Sequence, residues 1–188
     1  MGLRMLLPVL LAFGCTACVT NIHPDVQSNP PPSEPLSDFQ HYQLMPTTIS
    51  AEAAHEAAAF AKINANLQER VGGALSGWEN RNQNGRVLRI EPHIDQLKFV
   101  SGVGRFWAGD MAGSSAVVLH VKLTDAATGK VIANPEFYQR AAAEGGMWSF
   151  GGTDNGMLAR IATVAQQYLQ RNYAQTVGGP TGLEGQAD

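Results

Sequence analysis

At 188 residues, with 44% hydrophobic and 15% charged residues, the chain has the composition of one globular domain that buries a core, and disorder throughout is excluded. Setting aside the first 14 residues removes a single charge, Arg4, so Lys+Arg falls from 13 to 12 and the formal charge moves from −3 to −4. Neither value points to a nucleic-acid or anionic-lipid binder, which normally carries a basic stripe.

Arg4 is followed by an apolar run from Met5 to Phe13 that ends in small residues, the layout of a secretory leader. It is too short to span a bilayer, which takes about 20 apolar residues, and Pro8 interrupts it. The stretch Leu11-Ala12-Phe13-Gly14-Cys15 resembles the lipobox of bacterial lipoproteins, in which the cysteine thiol receives a diacylglycerol before cleavage. Cys15 then becomes the first, acylated and palmitate-bearing residue, while Ala17-Cys18 offers a second such site. A plain secretory leader cleaved without lipid is the remaining alternative. Thr16 rather than aspartate follows Cys15; by the resemblance, this implies sorting to the outer membrane, with the domain facing the periplasm and surface display left open. Both cysteines lie in this leader region, so the rest of the chain has no thiol for a disulfide or a metal.

From Val19 to Ser37 the chain is polar and rich in proline (Pro24, Pro30, Pro31, Pro32, Pro35), without apolar periodicity. It reads as a tether able to hold a domain up to roughly 60 Å from the bilayer, at about 3.1 Å per residue. The stretch from Gly178 to Asp188 reads as a glycine-rich tail. The expected organisation is therefore a signal peptide at 1–14, a lipidated N-terminus and tether at 15–36, a folded domain at 37–174 and a disordered tail at 175–188.

Within the domain, Phe39 to Ile49 reads as a first strand interrupted near Pro46. Ser50 follows as an N-cap, and Ala53, Ala57, Phe60, Ile63, Leu67 and Val71 form the stripe of a helix ending near Gly72-Gly73. After the turn at Asn84-Gly85, Val87 to Phe99 alternates as a long strand, with Pro92 arguing for an edge or a bulge. Val117, Leu119, Val121 and Leu123 alternate cleanly with Val118, His120, Lys122 and Thr124. Asp125 to Gly129 supplies a hairpin, and Lys130 to Arg140 returns, broken at Asn134-Pro135. Thr153 or Asp154 caps a last helix whose stripe is Met157, Leu158, Ile161, Val164, Ala165, Tyr168 and Leu169. The order β-α-β-β-β-α predicts a single small α+β domain, a mainly antiparallel sheet with two helices packed on one face.

The segment from Arg105 through Gly109, Gly113, the strand Val117–Thr124, and Asp125-Ala-Ala-Thr-Gly129-Lys-Val131 resembles the central signature of the bacterial lipoproteins grouped as DUF4410. Gly145-Gly146 and Gly151-Gly152 match its later part, whereas Asp110-Met111 depart from the smaller or less polar residues that its pattern has there. The resemblance implies an envelope lipoprotein without an assigned activity and adds no catalytic residue.

Candidate chemistry is sparse. Trp148-Ser149-Phe150-Gly151 has the trailing glycine of a nucleophile elbow but Met147 where the leading glycine belongs, and both small residues are needed at that strained turn. Glu91, His93 and Asp95 share one face of a strand and offer metal ligands, yet alternation accounts for them as a solvent face; His120 has no ligand-spaced partner. Gly102, Gly104, Gly109 and Gly113 match neither dinucleotide nor phosphate loops. The aromatics in glycine-rich connections, Phe106 and Trp107 in one and Met147, Trp148 and Phe150 in another, form either a docking patch or a plug for the end of the sheet. The expectation is a noncatalytic envelope lipoprotein that needs no cofactor or metal. It would act as an interaction or assembly module with an envelope protein partner and no nucleic acid. The alternative is a periplasmic-side hydrolase or small-ligand-binding protein.

Overall fold

In the computed structural model, the described residues are 22–79, 85–99, 114–141 and 152–183, with only the backbone described at 152–154. Strands β1 (His41–Leu44) and β2 (Thr48–Ile49) are two halves of one lane. They are followed by helix α1 (Ala57–Trp78), β3 (Val87–Lys98), β4 (Ala116–Asp125), β5 (Val131–Ala133), β6 (Glu136–Arg140) and helix α2 (Gly152–Arg171). The fold is a small α+β domain. Both β1 and β2 join β3 in parallel, with α1 as the crossover; β3 pairs antiparallel with β4, and β4 antiparallel with β5 and β6.

The alternation read from the sequence sets which face is buried. Leu88, Ile90, Ile94, Val117, Leu119, Val121, Leu123 and Phe137 line the face beneath the two helices and are nearly inaccessible. The stripe Ala59, Ile63, Leu67, Val71 and Leu75 of α1 and the stripe Met157, Leu158, Ile161, Ala165 and Tyr168 of α2 close over it. Ser50 is not the N-cap of α1, which begins at Ala57 after Glu56; its Oγ accepts a hydrogen bond from Ala53 N–H at 3.3 Å and closes a separate turn at 51–55.

Two further local expectations are corrected. Helix α1 does not end at Gly72-Gly73 but continues to Trp78. Two interior glycines cost about 1 kcal/mol each relative to alanine. Burial of Leu75 and Trp78, at about 2 kcal/mol each, outweighs that cost. Trp78 stacks on Tyr173 at 4.5 Å and meets Tyr42 edge-on at 5.6 Å. Pro92 sits at neither an edge nor a bulge: it lies inside β3, and the register shift falls between Ile94 and Gln96. The Pro92–Val121 pair is not hydrogen-bonded, since Val121 N–H donates to Pro135 O. The missing N–H of Pro92 therefore points to the lane that the chain leaves open between β1 and β2.

The largest correction concerns the tether and the tail. The proline-rich segment from Ile22 onward and residues 177–183 belong to the folded domain. Asn29 is 3% exposed, Leu36 is fully buried, and Asn29 and Gly179 exchange both backbone hydrogen bonds at 3.1 Å. Ala116, Val118 and Tyr138 lie on the sheet face away from the helices, and Ile22 and Leu183 pack over them. Tyr138 N–H donates to Thr181 O at 2.7 Å, so the C-terminal segment also blunts the edge of β6. Proline-rich chain pays little conformational entropy to lie extended, and here it covers apolar surface that the helices cannot reach.

Candidate functional site

The sites expected from sequence fall into two groups. Cys15, Cys18, Phe106, Trp107, Met147, Trp148, Ser149 and Phe150, together with Gly102, Gly104, Gly109 and Gly113, lie outside the described residues. What is described is where their connections attach. Lys98, Ala116 and Arg140 stand abreast in the register, so the chain leaves β3, enters β4 and leaves β6 at one end of the sheet. Phe99 N–H donates to Glu56 Oε1 at 3.0 Å, which brings the start of α1 to the same end; Ala141 N–H donates to Ser115 O at 2.9 Å. The connection bearing Phe106 and Trp107 and the one bearing Met147, Trp148 and Phe150 thus spring from neighbouring points, although some forty residues separate them in sequence.

The polar strip of β3 and β4 lies on the open face. His93 stands directly opposite His120, and Glu91 opposite Lys122. His93, Glu91 and His120 each already have a structural contact. Thr48 Oγ1 is 2.8 Å from His93 Nδ1, Thr124 Oγ1 donates to Glu91 Oε2 at 3.1 Å, and His120 Nε2 is 3.6 Å from Glu136 Oε2. Asp95 contributes its backbone carbonyl, which accepts from Ser50 Oγ at 2.5 Å. Among the described residues no group of three histidine, acidic or cysteine side chains converges on a point where a metal would sit. The structure thus brings His93 and His120 together, while Ser149, which a hydrolase would need beside them, lies outside the described residues.

A shallow groove of about 350 Å³ runs between the helices, lined by Lys62, Asn66, Glu69, Asn155 and Leu158, and Lys62 Nζ donates across it to Asn155 Oδ1 at 2.6 Å. Its lining includes no serine, cysteine or histidine. No helix of the described residues is long and apolar enough to cross a membrane.

Apart from Asp125, the polar groups that hold the described residues together are ones that no sequence pattern singled out. Glu136, 4% exposed, accepts from Asp25 N–H at 2.7 Å and Val26 N–H at 3.3 Å, holding the N-terminal segment on the open face. Asn172, fully buried beyond α2, accepts from Val177 and Gly178 N–H at 2.9 Å and donates to Gly178 O at 3.0 Å. Arg86 lies 4.2 Å above the Phe39 ring and donates to Asp125 Oδ2 at 2.7 Å and to Glu34 Oε2 at 2.6 Å. The Arg86 guanidinium, with the N–H groups of Thr128 and Ala127, holds the Asp125 carboxyl at about 2; it also lowers Glu34. Asp125 Oδ1 accepts from Ala127 and Thr128 N–H, and Gly129 takes φ 73°, so Asp-Ala-Ala-Thr-Gly is a turn built by its own aspartate. The hairpin expected there is present, and its most specific residues serve architecture.

No family model matches the chain, and no curated protein matches it. Among solved structures, it is similar to a Xanthomonas campestris protein of the DUF330 family (12% identity, 78% of this chain and 93% of that chain, TM-score 0.41). It is also similar to a PelC dodecamer from Paraburkholderia phytofirmans (15%, 69% and 89%, 0.36) and to a minor lipoprotein from Acinetobacter baumannii (13%, 73% and 98%, 0.36). At these TM-scores the likeness carries no function over to this chain.

Proposed function

We propose that the chain is an envelope lipoprotein anchored through an acylated Cys15, with Cys18 the second candidate, and that its domain is a noncatalytic interaction or assembly module on the periplasmic side of the outer membrane. Its docking surface for an envelope protein partner is formed by Phe106, Trp107, Met147, Trp148 and Phe150. The lipobox-like Leu11–Cys15 and the resemblance to DUF4410 lipoproteins support the anchor. The observation that carries the docking reading is the alignment of Lys98, Ala116 and Arg140 at one end of the sheet, which starts both aromatic-bearing connections from the same place. Aromatic side chains are the residue type that such surfaces concentrate.

The test is affinity purification of the tagged protein from membranes in mild detergent, beside Cys15→Ala, Trp107→Ala and Trp148→Ala. A protein recovered with the wild type, and lost with either tryptophan variant while that variant keeps its thermal transition, is the expected result. Unfolding of both tryptophan variants would assign those residues to the core and remove the docking surface. Equal membrane fractionation of wild type and Cys15→Ala would remove the anchor at Cys15.

A further inference from the structure

We propose that the open face of the sheet, centred on Arg89, His93, His120 and Lys122, lies against the phosphate headgroups of the membrane that anchors the chain. The inference rests on acylation at Cys15. It begins where the folded domain begins: Ile22 packs on Ala116, Val118 and Tyr138, so the chain departs toward the anchor from the open face, beside β4 and β6. Seven Cα-to-Cα steps separate Cys15 from Ile22. Fully extended they reach about 25 Å at most, and from Cys18 about 14 Å. The tether of roughly 60 Å expected from the proline content is thereby cut by more than half.

That length decides the orientation. Sheet plus helix layer measures about 20 Å through, with helices about 10 Å across and layers about 10 Å apart. Turning the helices toward the bilayer would use about 20 Å of the link merely to pass the layers, before any sideways travel. With the open face toward the bilayer, the same link is slack.

The chemistry of that face suits headgroups rather than acyl chains. Its apolar part is largely covered by Ile22 and Leu183; of the large hydrophobic residues exposed among the described residues, Val131 alone stands on this side, at the edge of the sheet opposite Thr124. Lys122 is exposed, and neither it nor Arg89 has an acidic partner within ion-pair distance among the described residues. Of the carboxylates on the face, Glu91 is engaged by Thr124, and Glu136 by the backbone N–H groups of Val26 and of Asp25, itself exposed; Asp95 lies at the far end of the strip. The net charge of −3 gives no hint of this face, because it sums over every surface and the fold sorts the charges between them.

Lysine footprinting tests the orientation. The full-length acylated protein, in vesicles of phosphatidylethanolamine and phosphatidylglycerol, is labelled with a membrane-impermeant amine reagent and compared by mass spectrometry with the soluble double variant Cys15→Ala, Cys18→Ala. Lys122 should be protected severalfold in vesicles, with Lys62 on α1 labelled equally in both forms. The mass of the N-terminal peptide reports the anchor separately. An acylated peptide with Lys122 and Lys62 equally labelled would overturn the orientation and leave the lipoprotein reading standing. A peptide without acyl chains would overturn both. Protection of Lys122 on native membranes but not on lipid vesicles would assign the face to a protein and overturn the proposal.

Discussion

Replacement of Asn29 by alanine separates a packed N-terminal segment from a solvated tether. The side chain of Asn29 donates from Nδ2 to Glu136 O at 2.7 Å and to Pro180 O at 3.1 Å, and its Oδ1 accepts from Glu136 N–H at 2.8 Å. Alanine removes all three bonds and leaves the buried N–H and C=O of Glu136 facing a methyl group. At about 1 kcal/mol net for each bond, with a somewhat larger penalty for a buried group left unpaired, the loss is about 3 kcal/mol. For a domain of this size 1 kcal/mol corresponds to about 2–4 °C, so the thermal midpoint should fall by roughly 6–12 °C. The assay is urea and thermal unfolding of a chain starting at residue 22, followed by far-ultraviolet circular dichroism. The change in midpoint should come without a change in the denaturant slope. A loss below about 0.5 kcal/mol, the range of ordinary surface substitutions, would refute the packing of this segment and restore the tether.

Two further perturbations follow from local geometry. Gly73→Ala should stabilise by about 0.5–1 kcal/mol, because Gly73 is interior to α1 and an added Cβ meets nothing within 4 Å. Destabilisation in urea melts would instead show the helix ending there. Asp125 has its folded value lowered from 3.8 to about 2 by Arg86, so its contribution is fully present above the unfolded value and is lost as pH falls through the folded one. The stability difference between wild type and Asp125→Asn should therefore shrink from pH 4 to pH 2, and parallel unfolding midpoints across that window would refute the pairing.

Legibility in the sequence followed the range of the interaction that decides each element. Val117 to Thr124 and the stripe from Met157 to Leu169 declare themselves because alternation and helical spacing are local consequences of burying one face. The turn at Asp125 to Gly129 was readable for the same reason, since the aspartate bonds N–H groups two and three residues on. The end of α1 was misread because Gly72-Gly73 is a local stop signal, whereas Tyr173, on which Trp78 stacks to hold the last turns, lies nearly a hundred residues away. Pro92 was misplaced because its tolerance depends on an interruption in a neighbouring lane that Pro46 produces.

The sequence by itself determined the class of fold, the two helical stripes, the central strands and the lipobox-like leader, all of which rest on patterns within a dozen residues. Only the tertiary structure decided that residues 22–36 and 177–183 are part of the domain, because Asn29 finds Glu136 at a separation of 107 residues and Tyr168 finds Pro30 O at 138. A polar, proline-rich segment has no periodicity with which to announce such partners. Its place was set by apolar surface on Val118 and Tyr138 that no helix covers and by backbone groups of β6 that needed partners, and neither exists until the sheet has formed.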